Sequence, residues 1–340
     1  MDDLALLGWD DARAADLPAG TRPARVARID RGLLTVLAAG GERRAHPAPA
    51  LHEGTGPAVG DWVALRGDLA VAVLPRRTAF VRTAAGRTSA PQVVAADLDT
   101  VLVVDALDGP VRLRRIERYL AVAWGSGAEP VVVLTKADLC DDVPAAVGEV
   151  AAAVLGVEVV AVSAVTGAGV EAVGALLGPG RTGALVGPSG VGKSSLVNAL
   201  AGEPLVATGA VRAADRRGRH TTTARELHRL PSGGLLVDTP GMRELALADD
   251  EGVDTAYADV AELALSCRFR DCGHRSEPGC AVVAAVEEGL LDAGRLSGWR
   301  KLQAEARRQA LRSDARARAA EHARVRSLHK AMRAQPNRLR

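Results

Sequence analysis

The 340 residues, 48% apolar and carrying a net charge of +2, suffice for two or three domains and a sizeable core. No run approaches the roughly 20 uncharged apolar residues of a membrane span. The opening Met-Asp-Asp-Leu lacks the basic flank of a signal peptide, so a soluble, cytoplasmic chain with no membrane partner is expected. Four cysteines (Cys140, Cys267, Cys272 and Cys280) are too few for a disulfide framework, and the clustering of three points to metal. Aromatic residues make up 2% of the chain, which leaves core building to Ala, Val and Leu. Charge is uneven: residues 300–340 carry thirteen Lys and Arg against Glu305, Asp314 and Glu321. Such a tail suits an anionic partner, nucleic acid before membrane, the alternative being a solvated basic helix.

Residues 1–20 form an extension without a strong signal. From 21 to 82 the text consists of short alternating segments, Ala24–Ile29, Leu33–Leu37, Asp61–Leu65 and Leu69–Leu74, divided by Gly, Pro and Asp. These predict a small β-barrel of the oligonucleotide-binding (OB) type. Nine Arg against five acids over 21–80 would suit RNA. With Trp62 and Phe80 as the only aromatics there, such a barrel would hold the backbone more than stack bases. A purely structural barrel is the other reading.

Between about 88 and 247 the period changes. Val-rich runs at Thr100–Asp105, Pro130–Leu134 and Val157–Val162, with a helix over Arg114–Ala123 between the first two, predict a parallel, doubly wound α/β sheet. A further strand precedes Gly187-Pro188-Ser189-Gly190-Val191-Gly192-Lys193-Ser194-Ser195, which fills the G-x-x-x-x-G-K-[ST] pattern in the strand-then-helix context that pattern requires. Its backbone N–H groups would wrap a diphosphate at a helix N-terminus. Lys193 would reach the β and γ phosphates, and the Ser194 hydroxyl would ligate Mg²⁺. A ligand-free glycine-rich turn is the bland alternative.

Four more stretches carry chemistry. Thr135-Lys136-Ala137-Asp138 ends a strand where open α/β sheets place ligands. The Asp138 carboxylate can accept the N1–H and 2-amino hydrogens of guanine, with Lys136 along the base. Ser163-Ala164 would offer a backbone N–H to the base oxygen. In Gly218–Thr223 one threonine, Thr222 before Thr221 or Thr223, would bind Mg²⁺ when a γ phosphate is present. Asp238-Thr239-Pro240-Gly241 would hold Mg²⁺ through water at Asp238 and sense the γ phosphate at the Gly241 N–H. Together these are a GTPase set in permuted order, because the base-reading pair precedes the phosphate loop.

After the α/β region, residues 248–340 read as a helical domain around Cys267-x4-Cys272-x-His274-x5-Cys280, a closed four-coordinate donor set of the structural zinc kind. Buried free cysteines or an open catalytic zinc are the alternatives. Helices are expected over Ala281–Leu291 and along the Arg-rich tail.

At this point the chain resembles the circularly permuted GTPases of the YjeQ/RsgA family, the ribosome-dependent GTPases of small-subunit biogenesis. The resemblance spans about residues 21–305. It rests on Ala95–Asp99, Arg115–Leu120, Thr135–Leu139, Gly187–Ser195, Gly218–Thr223, Asp238–Met242, and Cys267–Cys280 with its Glu277-Pro278-Gly279-Cys280 ending. It implies an N-terminal OB-type barrel, a permuted GTPase core and a C-terminal zinc domain, with one structural Zn and Mg²⁺ brought with GTP. It also implies binding to the 30S subunit and its 16S rRNA in the GTP state, hydrolysis there and release with GDP, by a monomer. Family members usually carry Asn at the place of Thr135, and share an apolar residue at the place of Met242, where many GTPases put a water-orienting glutamine. The matching histidine has been given that role in the family, which makes His220 the catalytic candidate. A small-molecule kinase, an RNA-binding module with little hydrolysis and a permuted GTPase of the large subunit are the competing readings.

Overall fold

The computed structural model describes residues 3–52, 55–83, 91–206, 225–238 and 251–313. Five strands, β1 (Arg22–Asp30), β2 (Leu33–Ala38), β3 (Gly41–Pro47), β4 (Trp62–Arg66) and β5 (Leu69–Val73), pair in the order β1-β2-β3-β5-β4. A second β1–β4 pairing, Arg22 opposite Leu65 through Arg25 opposite Trp62, closes them into a barrel. Ala24, Val26, Leu34, Val36, Ala45, Val63 and Ala70 alternate inward and fill it. Strand β3 was absent from the sequence expectation, because its Gly-Glu-Arg-Arg-Ala-His-Pro text has a single buried residue, Ala45. Hydrogen bonding to β2 makes it a strand. Strand β6 (Ala79–Thr83) leaves the barrel and forms a hairpin with β7 (Pro91–Ala96).

The second layer system is a six-stranded sheet in the order β10 (Glu158–Ala161), β9 (Glu129–Thr135), β8 (Thr100–Ala106), β11 (Thr182–Val186), β13 (Leu235–Asp238), β12 (Glu226–Arg229). All pairs are parallel except β12–β13. Its central strands are buried on both faces, as uninterrupted Val and Leu text requires. Helices α2 (Leu113–Trp124), α3 (Val143–Ala153), α4 (Val170–Leu176) and α5 (Lys193–Ala201) connect the strands.

Barrel and sheet are joined twice. β1 pairs with β12 at Arg28 and Glu226, and the extension before the barrel fills the corner between them. Residues 1–20, silent as text, include a short helix α1 (Asp11–Ala14) capped by the Asp10 carboxylate, which accepts the Arg13 N–H at 3.0 Å. Arg13 pairs with buried Asp97 at 3.0 Å. Arg25, 2% exposed, donates to the carbonyls of Leu7, Gly60 and Asp97, so one guanidinium links extension, barrel and the approach to β8. Desolvation there pushes its pKa down to about 10, which leaves it charged at neutral pH.

The C-terminal unit comprises α6 (Glu251–Ala256), α7 (Ala258–Ala264), α8 (Ala281–Glu287) and α9 (Ala293–Ser313). Helix α8 stops four residues before the expected Leu291, because Glu288 ends it ahead of a left-handed Gly289. The unit is mounted on α2. The Glu117 carboxylate, 2% exposed, accepts from Arg114 at 2.7 Å, Arg295 at 3.0 Å and the Tyr257 hydroxyl at 2.8 Å. Arg118 pairs with Glu305 at 2.7 Å. A buried carboxylate on α2 sharing three donors, one from its own helix, one from the α6–α7 junction and one from α9, fixes the two units in register.

Candidate nucleotide and metal sites

The strand ends β9, β8, β11 and β13 bring the dispersed motifs to one edge of the sheet. After β11 the chain turns at Gly187, whose φ of +149° and Cβ position, 2.2 Å from the Val104 carbonyl oxygen, admit glycine alone. Gly190 and Gly192 are also left-handed, and Gly192 caps α5, which begins at Lys193. The loop therefore ends on a helix N-terminus, where backbone N–H groups and the helix dipole favour phosphate. The Lys193 ammonium spans this loop, donating to the carbonyls of Gly187 at 2.8 Å and Pro188 at 2.6 Å. Ser194 follows on the first turn, half-buried, with Ser195 exposed beside it. Asp238 ends β13, the neighbour of β11.

On the other side of β11 lies the Thr135-Lys136-Ala137-Asp138 turn. Thr135 is 3% exposed and its hydroxyl meets two carbonyls, Asp105 at the end of β8, 3.1 Å away, and Val191 in the phosphate loop. A hydroxyl carries one proton, so it ties strand end to loop where the two-hydrogen amide of Asn would serve two acceptors at once. Replacing Thr135 by valine keeps the shape and removes the donor. GTP affinity is expected to fall about 3- to 10-fold, the worth of one intramolecular hydrogen bond, with no change of base preference. Titration with a fluorescent guanine nucleotide measures this; equal affinity for the two proteins would show that the tie does not support the loop.

Lys136 adopts a left-handed backbone (φ 57°) and its ammonium pairs with Asp108, whose carboxyl that contact holds below the usual range. Asp138 is exposed and oriented by Ser163, whose hydroxyl donates to Oδ1 at 2.5 Å while its oxygen accepts the N–H groups of Val165 and Thr166 at 3.2 and 3.1 Å. Ser163 thus folds the 163–166 loop and aims the carboxylate; sequence reading gave it a backbone N–H role only. Ala164 lies in the same turn. A cleft of about 550 Å³ adjoins the phosphate loop, lined among others by Asp105, Asp108, Arg112, Arg115, Ser189 and Gly190. Asp105, buried at the end of β8, binds Arg115 of α2 at 2.5 Å. This pair anchors the start of α2 beside the loop and was legible only as one charge ending an apolar run. Thr221, Thr222, Thr223, His220 and Gly241 lie outside the described residues.

The donor set Cys267, Cys272, His274 and Cys280 converges, with all ligand atoms within 4.8 Å of one another. Cys267 Sγ lies 3.8 Å from Cys280 Sγ, and both lie 3.5 Å from His274 Nδ1. Tetrahedral zinc with bonds of about 2.3 Å to sulfur puts sulfurs about 3.8 Å apart, so these residues fit the ion. The thiols cannot all ionise unaided. Burial raises the Cys267 pKa, but the N–H groups of Val282 and Ala281 and the neighbouring thiols outweigh it and lower the net value, whereas Cys272 is pushed up to about 11, chiefly by desolvation. A cation resolves that conflict. Desolvation lowers the His274 pKa, leaving the neutral imidazole a ligand requires. Around it, the Trp299 ring of α9 packs against His274 with centroids 5.2 Å apart and the planes tilted by 59°, and Arg300 donates to the His274 carbonyl. Cys140, half-buried after the Asp138 turn, is not among the clustered donors.

A phosphate loop at the centre of a parallel sheet, base-reading turns earlier in the chain and a terminal Cys3His cluster define a circularly permuted P-loop GTPase with two appended units. The family model described as RsgA GTPase matches residues 73–248. The chain is 46% identical over 330 residues to the small ribosomal subunit biogenesis GTPase RsgA of Streptomyces coelicolor, covering 93% of this chain and 90% of that one. It is also 46% identical over 357 residues to the protein of the same name from Opitutus terrae, covering 97% of each. Among solved structures, YjeQ from Thermotoga maritima superposes with a TM-score of 0.66 at 28% identity, over 84% of this chain and 98% of that one. YloQ, a circularly permuted GTPase, shares the fold with a TM-score of 0.61 at 22% identity, over 86% and 96%. The chain belongs to the RsgA GTPase family.

Proposed function

We propose that this protein hydrolyses GTP to GDP and phosphate in the late maturation of the small ribosomal subunit, and that docking on the 30S particle stimulates the reaction. The observation that carries the nucleotide reading is the convergence of Asp138, held by Ser163, with the Gly187–Ser195 loop at one sheet edge, joined through Thr135. The partner reading is supported by relatives alike over more than nine-tenths of the chain, which are small ribosomal subunit biogenesis GTPases. Guanine lies against Asp138 and Lys136, with Ser163 and Ala164 at its oxygen. The phosphates lie in the cradle of Pro188, Ser189, Gly190, Val191 and Gly192 between Gly187 and Lys193. Mg²⁺ supplies charge neutralisation at the β and γ phosphates, and Ser194, Thr222 and Asp238 are the residues to hold it, the last through water. Zinc would be a structural staple held by Cys267, Cys272, His274 and Cys280. Gly241 senses the γ phosphate, and His220 positions the attacking water on the docked particle. The protein acts as a monomer in the cytoplasm. Among the described residues no helix is long and apolar enough to cross a membrane.

The base assignment has a direct chemical test. An Asp138→Asn side chain presents an amide that donates to the 2-carbonyl of xanthine and no longer accepts both hydrogens of guanine. GTP turnover is expected to fall at least about 10²-fold, with xanthosine triphosphate becoming the better substrate, because unpaired polar groups in a reading site cost heavily. Turnover of both nucleotides by the variant checks this; undiminished GTP preference would remove Asp138 from the base site.

A further inference from the structure

Phe269 is the only exposed phenylalanine, tyrosine or tryptophan among the described residues, in a chain with 2% aromatics. It is 42% exposed and lies inside the metal-binding loop, between Cys267 and Cys272. Leu265, 87% exposed, precedes it. The Arg268 guanidinium stacks 5.6 Å from the Phe269 ring centroid, and Arg270 and Arg275 are exposed close by in sequence. None of the three guanidiniums makes an ion pair among the described residues. Of the acids in the loop, Glu277 is spent internally. It accepts the N–H groups of Arg275 at 2.7 Å, Gly273 at 3.0 Å and Ser276 at 3.1 Å, which bring its pKa down to about 2. Asp271 is the other.

Every other Phe, Tyr or Trp among the described residues is more deeply buried than this one, whose open face makes no such packing. An aromatic ring backed by arginine and flanked by two further uncommitted arginines has the chemistry that single-stranded nucleic acid recognises: a π-face for a base and cations for the adjoining phosphates. A metal held by the converging thiols and imidazole would brace this loop, so that little ordering entropy opposes binding.

We propose that the metal-binding loop is a base-stacking platform, with Phe269 receiving one unpaired nucleotide of RNA and Arg268, Arg270 and Arg275 holding the phosphates beside it. The barrel lacks such a ring, since Trp62 and Phe80 are buried, so base contact falls to this loop. The inference rests on the ribosomal reading and deepens it, because it assigns the C-terminal unit a contact with unpaired, not helical, RNA.

The test uses the full-length protein with a non-hydrolysable GTP analogue and isolated 30S subunits. Affinity is measured for the wild type, Phe269→Leu and Phe269→Tyr at several salt concentrations, with zinc content confirming an intact loop. Phe269→Leu is expected to bind about 10-fold more weakly with an unchanged salt slope, and Phe269→Tyr to bind as the wild type does. Arg270→Ala should instead flatten the slope by about 0.7, one phosphate contact on a single strand. Chemical probing of the rRNA should show one unpaired base protected by the wild type and not by Phe269→Leu. Equal affinity of Phe269→Leu and wild type would overturn the platform, and so would weaker binding without any change in base protection, which would mean a ribosomal protein meets the ring. A wild type that does not bind 30S at all would fail the ribosomal reading itself, ahead of the platform.

Discussion

Replacing Lys193 by alanine is expected to reduce GTP turnover by about 10²- to 10³-fold, the cost of removing one preorganised charge donor from a reacting centre. The side chain is already placed for this work. Its ammonium lies over the loop, 2.8 and 2.6 Å from two of the loop's own carbonyls, so engaging a β or γ oxygen requires an exchange of partners and no refolding. Because the charge interacts most strongly where negative charge gathers in the transition state, kcat should fall more than nucleotide affinity. Single-turnover assays beside nucleotide titration separate the two. A loss below about 3-fold in kcat would mean that the loop binds nucleotide without serving hydrolysis, leaving an RNA-binding module as the better account.

Removing the metal should undo the 267–280 loop of the C-terminal unit. The converging donors tie Cys267, Cys272 and His274 to Cys280 at the head of α8, and structural zinc contributes of the order of 10 kcal/mol to small folds built around it. Cys267→Ala is therefore expected to abolish stoichiometric zinc and to loosen the Trp299–Arg300 stretch of α9 that touches the site, while Arg295–Glu117 and Arg118–Glu305 keep the helix on α2. Trp299 makes this visible. Its emission should shift to longer wavelength as the indole leaves His274, and a Trp299→Phe background should lack that shift. Guanine nucleotide binding should survive, since α2 packs directly on β8 and β9, whereas ribosome binding should not. One equivalent of zinc retained in Cys267→Ala would contradict the assignment of the donor set.

Much of this was legible in the text because it rests on local chemistry. The phosphate loop needs glycines at fixed offsets. The buried strands Thr100–Ala106 and Glu129–Thr135 need uninterrupted apolar residues, and the Cys3His set shows as four metal-ligating residues between Cys267 and Cys280. What escaped notice rests on distant partners. β3 is polar text that becomes a strand because β2 lies beside it. Residues 3–20 are tied down by Asp97, which pairs with Arg13, and by Arg25, which holds the Leu7 carbonyl. Glu117 reads as one charge on an amphipathic helix, and its three donors come from residues as far away as Arg295. Ser163 was legible as a turn residue, but that its hydroxyl aims Asp138 depends on two loops meeting. Thr135, a departure from the Asn of the family pattern, proves to reach the same loop with a single proton.

The central claim is a GTPase tuned to the small ribosomal subunit, and turnover of GTP and ATP by the purified protein, alone and with isolated 30S or 50S subunits, tests it most directly. The account predicts slow GTP turnover by the free protein, strong stimulation by 30S alone and negligible use of ATP. Stimulation by 50S in place of 30S would contradict the partner, and equal use of ATP would contradict the reading of Asp138.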